Sequence, residues 1–198
     1  INPRDDDLKW AKKACEVGMR GFVIKSHLWP TTERAYLIKK IVPELEVFGS
    51  LTLNVTVGGI NPWVVEAAAK LGAKMVWMPT WSARNDMQRN GFIKKLIKKH
   101  FACSINELPL KEGLTILDSE SHVNQNVKDV LTMIKRCNMA LSTGHLSPQE
   151  SLVLADEAKA IGVNRIIFGH PFGRSVNASM EEIKEMAKKG AYIELTLL

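Results

Sequence analysis

The sequence predicts an α/β fold in which parallel strands and covering helices form a TIM barrel of the (β/α)8 type. One phrase recurs along the chain: an amphipathic helix ends on Gly or Asn, and an apolar, β-rich run follows within a few residues. Near-continuous apolar strands that alternate with helices are typical of a parallel sheet covered by helices. Polar residues close nearly every strand, and this favours a barrel over a doubly wound open sheet, which usually concentrates its site at one switch point.

The repeated phrase predicts five helices, each followed by a strand. The helices cover residues 11–18, 64–72, 127–138, 152–162 and 181–190, and their strands cover 21–25, 74–78, 139–141, 165–168 and 191–195. Residues 47–55 and, on a weaker pattern, 114–118 predict two more strands, seven in total. Helix starts are marked by Asn61 before a proline and by capping-box spacing after Ser147 and Ser179.

The 198 residues are long enough for one substantial core, and we interpret residues 1–198 as a single barrel domain. Seven strands are one fewer than the barrel needs, so we expect the missing strand to precede Ile1 in a truncated or compacted barrel. A natural seven-stranded variant is the alternative. Residues 82–113 form a long βα insertion with a basic amphipathic helix predicted at 91–100. This insertion is either a lid over the catalytic face or a surface helix packed on the barrel.

Composition excludes some classes of protein. Hydrophobic residues make up 45% and charged residues 24%, as in ordinary globular proteins, and no run reaches the length of a membrane span. Three scattered cysteines predict reduced thiols in a cytoplasmic protein. The formal charge of +6 comes from lysines spread over most helices, without interleaved aromatics, and predicts solvated faces rather than nucleic-acid binding. We expect a small-molecule substrate and no membrane partner, and a homo-oligomer stays open.

Three of the five histidines end short apolar runs: His27, His145 and His170. A barrel gathers the residues at its strand ends into one site, so three imidazoles delivered in this way predict a metal centre. Neutral imidazoles are the commonest ligands for zinc and similar metals. The sequence therefore predicts His27, His145 and His170 as ligands.

Other polar residues at the strand ends are candidate companions of this centre. Lys25 shares a face with His27 two residues on, and is a metal bridge in carboxylated form, a Schiff-base nucleophile or an ion-pair partner of an acid. Glu194, inside an apolar strand, is a ligating or ion-paired acid, and Asp118 is a candidate ligand or base. The predicted substrate contacts are the hydrogen-bonding residues Asn54 and Thr80 and the pocket walls Trp29 and Trp81.

Several phrases carry a family resemblance, namely residues 22–27, 54–62, 77–80, 142–147 and 168–171. On these phrases the chain resembles the amidohydrolase and PHP-like metal-dependent hydrolases, and within them an uncharacterised branch of TIM-barrel proteins. The resemblance implies one or two divalent ions, Zn²⁺ or Mn²⁺, and hydrolysis by a metal-activated water. It also implies a His-x-His pair on the first strand, which we expect before Ile1, and a last-strand aspartate, whose place Glu194 takes.

These features lead to three functional hypotheses. The first is a metal-dependent hydrolase of a small amide, lactone or phosphoester, with Lys25, Asp118 and Glu194 as catalytic residues. The second is a Schiff-base lyase or aldolase, in which Lys25 is the nucleophile and the histidines are acid–base groups. The third is a non-catalytic barrel with a degenerate site.

Overall fold

The computed structural model describes residues 6–89 and 112–196. Within these ranges the chain forms six strands of two to seven residues. They are β1 (Gly21–Val23), β2 (Glu46–Thr52), β3 (Ala73–Trp77), β4 (Ala140–Ser142), β5 (Ile166–Phe168) and β6 (Tyr192–Ile193).

Helices alternate with the strands, as the repeated phrase predicts. They are α1 (Asp7–Glu16), α2 (Thr32–Ile41), α3 (Pro62–Lys70), α4 (Arg84–Arg89), α5 (Gln125–Arg136), α6 (Pro148–Ile161) and α7 (Met180–Lys188), with a 3₁₀ turn at Val55–Val57. The predicted helix starts are confirmed. Asn61 caps α3, and Ser147 and Ser179 each form a complete capping box with the glutamate three residues on.

The six strands form one parallel sheet whose order follows the chain, β1-β2-β3-β4-β5-β6. This sequential order is that of a barrel and differs from the reversing order of a doubly wound sheet. The sheet curls into a half-barrel and does not form a complete eight-stranded barrel. All strands run the same way, so their carboxyl ends meet on one rim.

The seventh predicted strand, at residues 114–118, is wrong. Leu114 forms an isolated bridge with Ala83, and Leu117 forms one with Val123, but neither bridge extends into a strand. Gly113 before this run has a φ of 83°, and the Asp118 side chain accepts two backbone N–H groups of the following turn. A turn at each end leaves too short an extended stretch to join the sheet.

Two apolar clusters hold the layers together. The larger one lies between strands β2 to β6 and the helices over them, with Leu51, Val76, Leu141 and Phe168 fully buried at its centre. The smaller one packs α1 and α2 against β1 and the start of β2. The core therefore lies behind the sheet, and the carboxyl rim is left for polar side chains.

Of the predicted insertion at residues 82–113, the structure describes residues 82–89, which include α4, and residues 112–113. The predicted basic helix at 91–100 lies outside the described residues. In the described parts of the chain, no helix is both long enough and apolar enough to cross a membrane.

Candidate functional site

Three imidazoles lie together at the carboxyl rim, where β1, β4 and β5 end. The rings of His145 and His170 are 5.5 Å apart between centroids, and those of His27 and His145 are 6.3 Å apart. Each histidine follows the last residue of its strand by two to four positions. The structure thus brings the three predicted ligands into one cluster.

His145 is buried and held from both its backbone and its ring. Gly144 before it has a φ of 62°, and a Cβ at that position would overlap the carbonyl oxygen of Met78, so only glycine fits. The His145 Nδ1 lies 2.9 Å from Oδ2 of Asp86, which is fully buried on α4. A carboxylate can only accept this hydrogen bond, so Nδ1 carries a proton, and in the neutral form of the ring Nε2 is the nitrogen that presents a lone pair.

His170 has a φ of 50°, which is uncommon for a residue other than glycine. Backbone strain of this kind costs on the order of 1–3 kcal/mol and clusters at functional sites. The ring is tied on both sides: Nδ1 lies 2.9 Å from the hydroxyl of Thr196, and Nε2 lies 3.3 Å from Nζ of Lys25. Burial, reinforced by the Lys25 charge, lowers the pKa of His170 to about 4, so its imidazole is neutral at pH 7.

His27 has a different set of neighbours. Its Nδ1 lies 2.9 Å from the hydroxyl of Thr80, and its ring stacks on Trp81 with centroids 4.5 Å apart and an interplanar angle of 19°. Burial is the main cause that lowers the pKa of His27 to about 3, and the charge of Lys25 adds to it. This imidazole is also neutral at pH 7.

Lys25 lies inside the cluster rather than on a surface. Its Nζ contacts His170 and sits 5.2 Å from the centre of the Trp77 ring. Burial lowers the pKa of this amine, and the negative charge of Glu194 opposes that shift in part. A lysine with a lowered pKa has a larger share of the nucleophilic free amine than an ordinary one.

Glu194 directly follows β6 and reaches the same region. Its Oε2 lies 3.7 Å from Nδ1 of His170, which is too long for a hydrogen bond. Within the described residues this buried oxygen has no hydrogen-bond partner. A buried carboxylate oxygen without a partner is costly, so it favours a cation nearby.

The donor types at the rim fit a divalent ion, since neutral imidazole nitrogens and a carboxylate oxygen are the ligands zinc takes. Their spacing is less favourable. Across residues 6–89 and 112–196, no three His, Cys, Asp or Glu side chains stand close enough together to hold one ion. The Nζ of Lys25 is at hydrogen-bonding distance from the nitrogen that His170 would offer.

Asn54 and Thr80, predicted to contact substrate, are both buried and bonded to neighbours. The Asn54 side chain binds the backbone of His27, Thr80 and Ser82 and the hydroxyl of Thr80. These bonds tie together the ends of β1, β2 and β3. Their polar groups therefore support His27 rather than lie open to a ligand.

Two predicted residues are not brought into the cluster. The exposed Asp118 carboxylate accepts hydrogen bonds from its own turn, which lower its pKa, and it makes no bond to the three histidines. Trp29 is exposed, whereas Trp81 stacks on His27. The sequence reasoning missed Asp86, and its only signal was an acid within the polar stretch after β3.

A separate groove of about 490 Å³ lies beside α1 and β1. Apolar side chains line it, among them Trp10, Val17 and Phe22, and none of the predicted site residues does. The chemistry-bearing residues are therefore at the rim and not in this groove.

A half-barrel with a polar cluster at its carboxyl rim defines the class: an α/β protein with barrel topology whose candidate site is built from strand ends. The chain belongs to the family of unknown function DUF6282, whose model matches residues 1–194. No curated protein matches the sequence.

Solved structures similar to this chain include 2,3-dimethylmalate lyase, a member of the PEP mutase/isocitrate lyase superfamily. The two share 12% identity with a TM-score of 0.54, over 97% of this chain and 63% of the lyase. An amidohydrolase from Pseudomonas aeruginosa is similar at 13% identity and a TM-score of 0.47, over 94% of this chain and 48% of the amidohydrolase. The chain thus spans about three fifths of the lyase and half of the amidohydrolase. At these identities the first similarity supports the barrel-like fold, and neither assigns a reaction.

Proposed function

We propose that the protein is a hydrolase that acts with a divalent metal ion at the carboxyl rim of the half-barrel. The observation that carries the proposal is the pair His145 and His170. The Asp86 carboxylate accepts from Nδ1 of His145, so Nε2 of that ring is turned to the cluster. Nδ1 of His170 lies against the Thr196 hydroxyl, and its Nε2 faces Nζ of Lys25, which as an ammonium can only donate, so Nε2 is the accepting nitrogen of this ring. Oxygen partners that orient an imidazole in this way are the usual outer shell of a metal-binding histidine.

In this proposal His145 and His170 would hold the ion, and the unpartnered Oε2 of Glu194 would be the third donor. These three side chains do not form a metal-binding group as they stand in the described structure, so the proposal requires them to move together when the ion binds. A bound Zn²⁺ or Mn²⁺ would lower the pKa of a water towards neutrality and polarise the bond to be cut. Lys25 would have to leave the Nε2 of His170, and its cationic form would then be available to pair with Glu194 or with an anionic group of the substrate. Carboxylation of Lys25 by CO₂ is the other arrangement that would free this nitrogen.

Elemental analysis of the purified full-length protein tests the proposal. We expect about one equivalent of zinc or manganese per chain in wild type, and a loss of most of it in His145→Ala and in His170→Ala. His122→Ala is the matched control, because its side chain is 72% exposed and, among the residues that the structure describes, its ion-pair partner is Glu120. Less than about 0.1 equivalent of zinc or manganese per chain, in wild type expressed in metal-supplemented medium, would contradict the proposal.

A second candidate is a lyase that uses Lys25 as a Schiff-base nucleophile. The specific observation in its favour is the contact of Nζ with Nε2 of His170 together with the lowered pKa of the amine. The amine would attack a carbonyl carbon, a C–N bond would form and water would leave. Sodium borohydride with a small keto acid should then add a reduced adduct to Lys25 in wild type and none in Lys25→Met. A chelator that leaves this adduct unchanged would favour the lyase.

A further inference from the structure

The orientation of the Asn54 side chain is determined by two backbone donors. Its Oδ1 lies 2.9 Å from the backbone nitrogen of Thr80 and 3.2 Å from that of Ser82. The flipped amide would place its NH₂ group against two N–H groups, which cannot accept. Asn54 Nδ2 therefore donates its two hydrogens to the His27 carbonyl and the Thr80 hydroxyl, at 2.9 and 2.8 Å.

The oxygen of the Thr80 hydroxyl therefore accepts a hydrogen bond from Asn54, and the hydroxyl hydrogen still needs an acceptor. Thr80 is fully buried, so bulk water does not take that hydrogen. In the described parts of the chain, the remaining hydrogen-bond partner of this hydroxyl is Nδ1 of His27, at 2.9 Å. Leaving a buried donor without an acceptor costs about 1–3 kcal/mol, so the O–H donates to Nδ1.

This donation decides the tautomer of His27. A neutral imidazole has one protonated nitrogen, and a nitrogen that accepts a hydrogen bond is the other one. The proton of His27 is therefore on Nε2, the ring nitrogen away from Thr80. His145 is the reverse, with its proton on Nδ1 facing Asp86. The two neighbouring imidazoles thus offer opposite groups to the same cluster.

We propose that His27 donates a hydrogen bond from Nε2 to a substrate oxygen on which negative charge develops, and that it is not a metal ligand. A protonated ring nitrogen has no lone pair for a metal ion, whereas it suits a carbonyl or phosphoryl oxygen. The stacked ring of Trp81 holds the imidazole plane, which favours a directed donor. This role rests on the proposed hydrolase function, but the tautomer does not depend on it.

Nuclear magnetic resonance of the imidazole nitrogens tests the tautomer without any assay of activity. In the ¹⁵N-labelled, metal-free full-length protein, His27 is expected with its proton on Nε2 and His145 with its proton on Nδ1. The His27 signals are assigned by their loss in His27→Gln. Thr80→Val removes the hydroxyl at similar volume and should move the His27 proton towards Nδ1. A wild-type His27 that carries its proton on Nδ1 would overturn the inference.

Metal content and turnover test the role. A glutamine amide lies near the position of Nε2, and an asparagine amide lies near that of Nδ1. His27→Gln should therefore keep part of the turnover, and His27→Asn should lose about 10²- to 10³-fold in kcat, the usual cost of removing such a donor. Both variants should bind as much zinc as wild type.

Loss of zinc from His27→Gln to the extent seen in His145→Ala would show that His27 is a ligand and would overturn the inference. Absence of zinc from wild type would instead contradict the proposed hydrolase function. The two failures are distinguishable, because the nitrogen spectra are recorded on metal-free protein.

Discussion

Acid should destabilise the protein through His27, and the size of the effect follows from its surroundings. The unfolded imidazole takes up a proton at a pH of about 6.5, whereas burial lowers the pKa of folded His27 to about 3. Below a pH of about 6.5 the unfolded state therefore binds more protons than the folded state, and the free energy of unfolding decreases as the pH is lowered. The contribution of neutral His27 is fully present above that pH and is lost progressively as the pH approaches 3.

Each pH unit in this interval costs about 1.4 kcal/mol, so wild type should lose on the order of 3 kcal/mol more than His27→Gln between pH 7 and about pH 4. Urea unfolding with chelator present measures the difference, and His170 contributes to both proteins alike. His122→Gln is the control and should follow wild type, because its side chain is exposed. Parallel pH curves for wild type and His27→Gln down to about pH 4 would refute the reasoning.

Three other variants test the residues that position His145 and His170 in the histidine cluster. Asp86→Asn can donate to Nδ1 of His145 and reverse its tautomer, so zinc titration should show a 10- to 100-fold weaker affinity, and an unchanged affinity would argue against the orienting role. Gly144→Ala should lower the free energy of unfolding by about 2 kcal/mol or more, because its Cβ meets the Met78 carbonyl oxygen at a positive φ; an unchanged urea midpoint would contradict this. His170→Asn suits the left-handed backbone, so we expect zinc to be lost while the free energy of unfolding stays within about 1 kcal/mol of wild type. A decrease of several kcal/mol in the free energy of unfolding would mean that the contacts of the His170 imidazole stabilise the left-handed backbone, and that the histidine is there for stability rather than for metal binding.

The fold was largely predictable because its signals are local. Ser147 and its capping box, and Gly162 with a φ of 94°, mark the two ends of α6 within the sequence itself. The run at 114–118 is apolar like β5 and is longer than it, yet β5 pairs with a strand on each side and the run at 114–118 does not join the sheet. Strand pairing depends on residues far away in sequence, which explains the one strand that was predicted wrongly.

The part of the candidate site that could be predicted from the sequence is the set of residues that directly follow the strands. His145 and His170 stand out because each follows an apolar run and a glycine. Asp86 is 59 residues before His145 and belongs to a helix in a polar connection, so no local pattern links the two. Thr80 was predicted to bind substrate, and its contact with His27 likewise spans 53 residues. Side-chain hydrogen bonds over such separations become visible only in three dimensions.

The same residue type at similar strand ends can therefore have different chemistry. Asp86 accepts a hydrogen bond from Nδ1 of His145, so the neutral form of this ring offers the lone pair of Nε2, whereas Thr80 donates to Nδ1 of His27, so His27 offers an N–H. A lone pair can hold a metal ion or remove a proton, and an N–H can stabilise an oxyanion. Equivalent histidines would form a symmetric metal cage, but this arrangement is polarised across the cluster. A polarised cluster suits a reaction in which one side of a carbonyl or phosphoryl group is attacked while its oxygen gains charge on the other.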